Sequence, residues 1–178
     1  MGNKILLHVC CGPCSTASIE RLINEDYEPV LFFSDSNIYP EEEFEKRYDN
    51  LLKVAAFYSL PVIKDSWDHD EWREWVKGYE AEPEHGKRCS LCFRFNLLRS
   101  ARKAKELGIG HFATTLTVSR FKNSKTIFKE GEDLEGFLPL DFKKKDGFNR
   151  SIVLSKELDL YRQSYCGCEF SLQDSLKR

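Results

Sequence analysis

The sequence predicts an α/β fold, a single domain over residues 1–178 with a mostly parallel sheet flanked by helices. Three observations predict it. Strand-sized apolar runs alternate with longer helical patterns. No apolar run approaches the roughly 20 residues of a membrane span. A chain of 178 residues, 41% of them hydrophobic, suffices for one core.

The elements follow in order. Lys4–Val9 reads as a buried strand ending in the loop Cys10-Cys11-Gly12-Pro13-Cys14. Ser15 then caps a helix over about residues 16–25. Pro29–Phe33 is the second strand, ending at Ser34-Asp35-Ser36-Asn37. Pro40 opens a helix whose first turn, Glu41-Glu42-Glu43, suits the helix dipole, and it runs to about Tyr58. Pro61–Lys64 is a third strand, and Asp70 caps a short helix through Trp72, Trp75 and Val76. A basic helix covers about 91–107 and stops at Gly108. Phe112–Val118 is a fourth strand, a helix begins at Ser124 or Lys125, and Phe137–Phe142 is a weak fifth strand. Lys143–Gly147 is a turn, and Ser155–Leu160 is helical. The cysteine-bearing C-terminal segment then closes on the site.

The net charge of −2 hides an asymmetry. Residues 1–88 hold 10 basic and 18 acidic side chains, and residues 89–178 hold 17 and 11. A basic half suits a polyanionic partner. The N-terminus lacks the apolar region of a secretory signal, so the sequence reads as cytoplasmic, with no membrane partner.

The seven cysteines fall in three knots, Cys10-Cys11-x-x-Cys14, Cys89-x-x-Cys92 and Cys166-x-Cys168. An odd count forbids full internal pairing, and disulfides are disfavoured in a reducing cytosol. Close spacing suits metal ligation. Seven sulfurs exceed the need of one tetrahedral zinc, whereas an iron–sulfur cluster takes four thiolates and leaves three. Structural zinc and thiol redox chemistry stay open on the cysteines alone.

In open α/β sheets the ligand sits beyond the carboxyl ends of the strands. Cys10 and Cys11 end the first strand, Asp35 the second, and Thr114, Thr115, Thr117 and Ser119 the fourth, so these residues should converge. Asp35 is a hard oxygen donor for a mixed-ligand site, or else a turn residue. If both are extended, Cys10 and Cys11 should point apart and serve different centres. His8 reads as a core histidine or a support for a ligand, and Trp67, Trp72 and Trp75 as packing.

The stretches His8–Ser15, Asn37-Ile38-Tyr39-Pro40, Arg88–Arg94, Ala113–Ser119, Phe142–Ser151 and Tyr165–Glu169 closely resemble the QueH family, the cobalamin-independent epoxyqueuosine reductases. The resemblance covers roughly Lys4 to Phe170. It implies deoxygenation of the epoxide of epoxyqueuosine in tRNA to the cyclopentene of queuosine. The implied cofactors are a 4Fe-4S cluster and an additional mononuclear iron, without cobalamin. The fold implied is similar to the pyrophosphatase-loop (HUP-type) nucleotide-binding fold. The Ser-Gly-Gly-x-Asp-Ser loop of its ATP users is absent, so no ATP is expected.

On that resemblance the metal ligands are Cys10, Cys11, Cys14, Cys89, Cys92, Cys166, Cys168 and Asp35. Cys10, Cys89, Cys92 and Cys168 are assigned to the cluster, and Cys11, Cys14, Cys166 and Asp35 are left for the second metal or for support. Asp35 and Tyr39 are the proton-donor candidates. Thr114, Thr115, Ser119, Lys122, Lys125, Lys143, Lys144 and Arg150 are expected at the substrate, with Arg120 and Lys145 beside them. Phe121 and Phe148 lie among these cations and could stack on exposed RNA bases. An unidentified electron donor completes the reaction. The rival readings are a zinc-stabilised RNA-binding module and an iron–sulfur enzyme of tRNA sulfur transfer or desulfurisation.

Overall fold

The computed structural model describes residues 2–178. Asn3–Val9 (β1), Tyr27–Phe33 (β2), Val62–Lys64 (β3) and Phe112–Thr114 (β4) form a sheet ordered β3-β2-β1-β4, with every strand pairing among the described residues parallel. The register sets Val9 opposite Phe33, Phe33 opposite Lys64 and His8 opposite Thr114, so the carboxyl ends of the four strands are nearly level.

The helices are Gly12–Asn24 (α1), Glu41–Tyr58 (α2), His69–Trp75 (α3), Lys87–Glu106 (α4), Ser124–Gly131 (α5), Gly147–Glu157 (α6) and Glu169–Leu176 (α7). They cover both faces of the sheet, and β1 shows how. Its side chains alternate, with Ile5, Leu7 and Val9 packing against Ile19 and Leu22 of α1 and Leu51 and Val54 of α2. Leu6 turns the other way, onto Phe93 and Leu97 of α4 and Ile127 of α5. A strand buried on both faces reads as a continuous apolar run, as this one does.

Several boundaries differ from expectation, each for a local reason. Helix α1 begins at Gly12, with Cys11 as its N-cap, and the Ser15 hydroxyl bonds back to the Gly12 carbonyl at 2.6 Å. Helix α3 is preceded by Asp68, not Asp70. Helix α4 starts at Lys87, which takes Cys89 and Cys92 into its first turns. Strand β4 stops at Thr114 and passes into a 3-10 turn over Thr115–Val118.

The fifth strand reduces to a single bridge, Phe137 to Phe112, with the Leu138 amide bonding the Phe112 carbonyl at 2.8 Å. Beyond it the Thr117 hydroxyl takes the place of a ladder partner, donating to the Leu140 carbonyl and accepting from the Phe142 amide. Helix α6 starts eight residues ahead of the expected Ser155, and α7 was not expected.

Gly147 opens α6 where the chain turns back on itself. A Cβ there would lie 1.8 Å from the Phe142 carbonyl oxygen. Backbone cannot yield as a side chain can, so Gly147→Ala should cost about 1–3 kcal/mol or more. Gly110→Ala, whose Cβ would meet nothing within 4 Å, should be near neutral. Urea midpoints of the two variants test this, and equal midpoints would contradict the close approach.

Candidate metal centre

A cavity of about 630 Å³ opens beyond the carboxyl ends of the strands. Cys10, Cys14, Cys89, Cys92, Cys166 and Cys168 line it together with Asp35, and Cys11 lies just behind at 1% exposure. All three knots therefore meet in one place.

The first knot is the most closely built. β1 ends at Val9, so the strand alternation that would send Cys10 and Cys11 apart no longer applies to them. Cys11 caps α1, its sulfur accepting the Cys14 amide at 3.4 Å, and Cys14 stands one turn in. The sulfurs of Cys10, Cys11 and Cys14 all lie within 4.8 Å of one another, with Cys10 and Cys11 at 4.0 Å. Thiolates on one tetrahedral ion, at about 2.3 Å from it, sit about 3.8 Å apart. The knot thus has nearly the spacing of a single-ion site. Cys10 stands within single-ion distance of Cys11 and Cys14, from which the sequence reading separates it.

The other two knots also start helices. Cys89 is the third residue of α4, and its sulfur accepts the His85 amide at 3.3 Å. Cys168 caps α7, its sulfur accepting the Ser171 amide at 3.4 Å. The ends of α1, α4 and α7 that gather the cysteines are the ends whose dipoles favour anions.

Hydrogen bonds from Cys10 and Cys14 hold the Cys11 thiol well below its usual range, against burial and with help from Arg47. Burial pushes Cys92 well up, and the nearby Cys166, Cys168 and Cys89 push it further. Burial likewise raises Cys89. A bound cation reverses that preference by taking the thiolate form.

Asp35 ends β2 at 1% exposure. Its Oδ1 lies 3.3 Å from His8 Nε2, and its Oδ2 has no hydrogen-bond partner. Burial pushes the carboxyl up to about 6, with the His8 imidazole opposing. His8 is fixed in turn by Thr114 Oγ1 at 2.9 Å and the Ser34 carbonyl at 3.0 Å. A buried carboxylate oxygen left unpaired beside a sulfur-lined cavity is the donor a metal would satisfy.

The cations expected at RNA separate into distinct roles. Lys122 turns its ammonium into the cavity. Burial opposes its charge there, but the thiolates of Cys166, Cys10, Cys14 and Cys11 outweigh it and hold the group well above its usual range. Lys143 is structural. Its Nζ reaches the carbonyls of Thr117, Ser119 and Lys122 and the Ser124 hydroxyl at 2.7–3.1 Å. Arg150 is held by Glu20 of α1 through two bonds of 2.9 Å. Lys125 and Lys144 are exposed and do not line the cavity, while Ser119 does.

Two expected substrate contacts are buried supports instead. Thr114 orients His8, and Thr115 Oγ1 accepts the Cys10 amide at 3.3 Å and lies 3.6 Å from its sulfur. Tyr39 does not line the cavity. It lies over a shallow cleft with Arg73 and Glu169, its ring 5.1 Å from that of His69.

Arg47 was missed. It lies in the apolar stripe Phe44, Leu51, Val54 of α2 at 2% exposure. It donates to Glu43 Oε1 at 2.8 Å and to the carbonyls of Cys166 and Tyr165 at 2.8 and 3.2 Å. An arginine at a core position of an amphipathic helix was the available signal.

A family model described as "Epoxyqueuosine reductase QueH" matches residues 5–174. The chain belongs to the QueH family. An epoxyqueuosine reductase QueH of Streptococcus pyogenes serotype M1 is 40% identical over 94% of this chain and 70% of its own length. The QueH proteins of Thermotoga maritima and Acinetobacter baylyi are 38% and 36% identical, over 96% and 97% of this chain and 91% and 82% of their own lengths. Among solved structures, the U34-tRNA thiolase NcsA from Methanococcus maripaludis, determined with its [4Fe-4S] cluster, superposes with a TM-score of 0.55 at 14% identity. The match covers 98% of this chain and 64% of that one, and the likeness is one of fold. The expected α/β class, similar to the pyrophosphatase-loop fold, agrees with it.

Removing Arg47 leaves Glu43 and two carbonyls without their buried donor. Arg47→Ala should cost about 3–5 kcal/mol, and Arg47→Lys, which lacks the planar fork, should recover only part. Denaturant unfolding measures the loss, and limited proteolysis should show faster cutting near Tyr165. Unchanged cleavage there would contradict the anchoring role.

Proposed function

We propose that this member of the family reduces epoxyqueuosine in tRNA within the cysteine-lined cavity. The observation that carries the reading is the meeting of seven sulfurs and one unpaired buried carboxylate oxygen at the carboxyl edge of the sheet. Converting an epoxide to an alkene and water consumes two electrons and two protons. The electrons must come from a separate donor.

The donor set fits two centres. Cys89, Cys92, Cys166 and Cys168 give the four thiolates that a 4Fe-4S cluster takes. Cys10, Cys11 and Cys14, spaced for a single ion, would hold the additional iron with Asp35 Oδ2 as its oxygen donor. When bound, the two centres would relay the donor's electrons and provide a Lewis acid for the epoxide oxygen.

The chain's own groups do the rest. Arg47 and Lys122 offset the gathered negative charge, together with the three helix ends. Lys122 keeps a protonated nitrogen on the cavity wall, within reach of a leaving oxygen, while Asp35 as an iron ligand would stay ionised. His8 and Thr114 hold Asp35 in place, and Thr115 holds Cys10. Ser119 at the rim and the exposed Lys125 and Lys144 meet the RNA.

Serine variants test the division of sulfurs. After anaerobic purification, Cys92→Ser should lose inorganic sulfide and its brown colour. Cys14→Ser should keep the sulfide and lose about one iron per chain. Both should lose conversion of epoxyqueuosine tRNA, read as loss of one oxygen from the nucleoside mass. Equal loss of sulfide in both would place the first knot at the cluster. Zinc without sulfide in the wild type would favour the RNA-binding module.

A further inference from the structure

Beside the cavity, the loop after the 3-10 turn carries three consecutive residues that point to different tasks. Lys122 reaches inward to the sulfurs, while Phe121 and Arg120 stay at the rim. Phe121 is 66% exposed, more than any other aromatic ring among the described residues. The Arg120 guanidinium lies 5.0 Å from the centroid of the Phe121 ring and 5.0 Å from that of Phe148, which comes from α6 on another part of the rim. Both rings and the arginine line the cavity.

Arg120 has none of the usual ties. Among the described residues no carboxylate or carbonyl accepts its N–H groups, whereas Arg47, Arg88, Arg94, Arg99 and Arg150 all have such partners. The loop that carries it is nonetheless firmly built. The Phe121 amide bonds the Ser119 hydroxyl at 3.2 Å, and Lys143 pins the carbonyls of Thr117, Ser119 and Lys122 from beneath. An ordered loop thus presents an exposed ring and a planar cation with free donors beside the cavity.

We propose that Arg120, Phe121 and Phe148 form a nucleotide clamp at the cavity mouth. The rings take the face of an unpaired base next to the one being reduced, and the guanidinium takes its phosphate. The proposal rests on the reading of the chain as an enzyme acting on tRNA, and it names the surface that RNA would use. A base can reach a recessed metal site only by leaving its stack, and its neighbour then loses a stacking partner. Aromatic rings at the rim restore that partner for any base sequence. Arginine suits the phosphate because its fork binds two oxygens and its plane stacks on the same rings.

The test is binding of unmodified tRNA to the anaerobically purified protein, followed by fluorescence anisotropy at several salt concentrations. Phe121→Ala should weaken binding by about 5- to 150-fold with the salt dependence unchanged, as expected for a lost stack. Arg120→Gln should weaken binding and lower the salt slope by about one phosphate contact. Phe121→Trp should restore binding. Iron and sulfide contents equal to wild type show that the centre is intact. Phe148 is partly buried, so the decision rests on the exposed Phe121.

Phe121→Ala binding within twofold of wild type, or a wild type that does not bind tRNA, would overturn the clamp. Reduction of epoxyqueuosine tRNA by the wild type is scored separately. Reduction without dependence of binding on Phe121 overturns the clamp alone. Binding that depends on Phe121 without reduction supports the clamp and overturns the reductase reading.

Discussion

The buried guanidinium of Arg47 is the interaction on which the assembled site depends. Cys166 and Cys168 lie about 150 residues from the first knot in sequence, on a segment outside the sheet. Arg47 ties that segment to α2 through the carbonyls of Tyr165 and Cys166, and its ring contact with Tyr165, 5.3 Å from the guanidinium carbon, adds to the hold. Glu43, one turn earlier on α2, neutralises it at 2.8 Å. A buried charge of this kind is tolerated because its donors are matched by a carboxylate and two carbonyls. Gly167 completes the arrangement. Its φ of +152° suits glycine, and a Cβ there would stand 3.3 Å from the Arg47 guanidinium.

The sheet supplies the second constraint. Parallel strands place their carboxyl ends together, and right-handed connections bring the following helix starts to the same edge. Here that edge carries sulfur. Cys11 caps α1 and Cys168 caps α7, each sulfur accepting a first-turn amide, and Cys89 in the first turn of α4 accepts the His85 amide just ahead of that helix. Gathering seven thiols in one cavity would be unfavourable once they ionise. The helix ends, Arg47 and Lys122 offset that repulsion, and Asp35 remains the acidic exception, poised by His8. The same edge gives way at the rim to the loop of residues 119–123. Half-buried Lys143 bonds three carbonyls of that loop, so a residue from a surface-looking lysine run orders the rim of the cavity.

Much of this was legible in the sequence. The knots, the strand ending before Cys10 and the position of Asp35 after the second strand together located the cavity. The misreadings have physical causes. Alternation in a strand predicted that Cys10 and Cys11 diverge, but the strand ends at Val9 and a helix cap begins two residues later. The run Lys143-Lys144-Lys145 is uniform in sequence, yet only Lys143 finds carbonyls to satisfy its ammonium. The fifth strand failed because the Thr117 side chain supplies the hydrogen bonds that a ladder would have made. Arg47 stood at a core position of its helix beside Glu43, but two of its partners are carbonyls more than 100 residues away, and those no local pattern encodes.

The central claim is that one cavity holds two separate iron centres, divided as four thiolates and three. Mössbauer spectroscopy of anaerobically purified protein loaded with enriched iron tests it most directly. The account predicts a cluster component and a distinct mononuclear component in an area ratio of about four to one, with sulfide matching the larger component. A single iron environment in a fully loaded and active protein would contradict it.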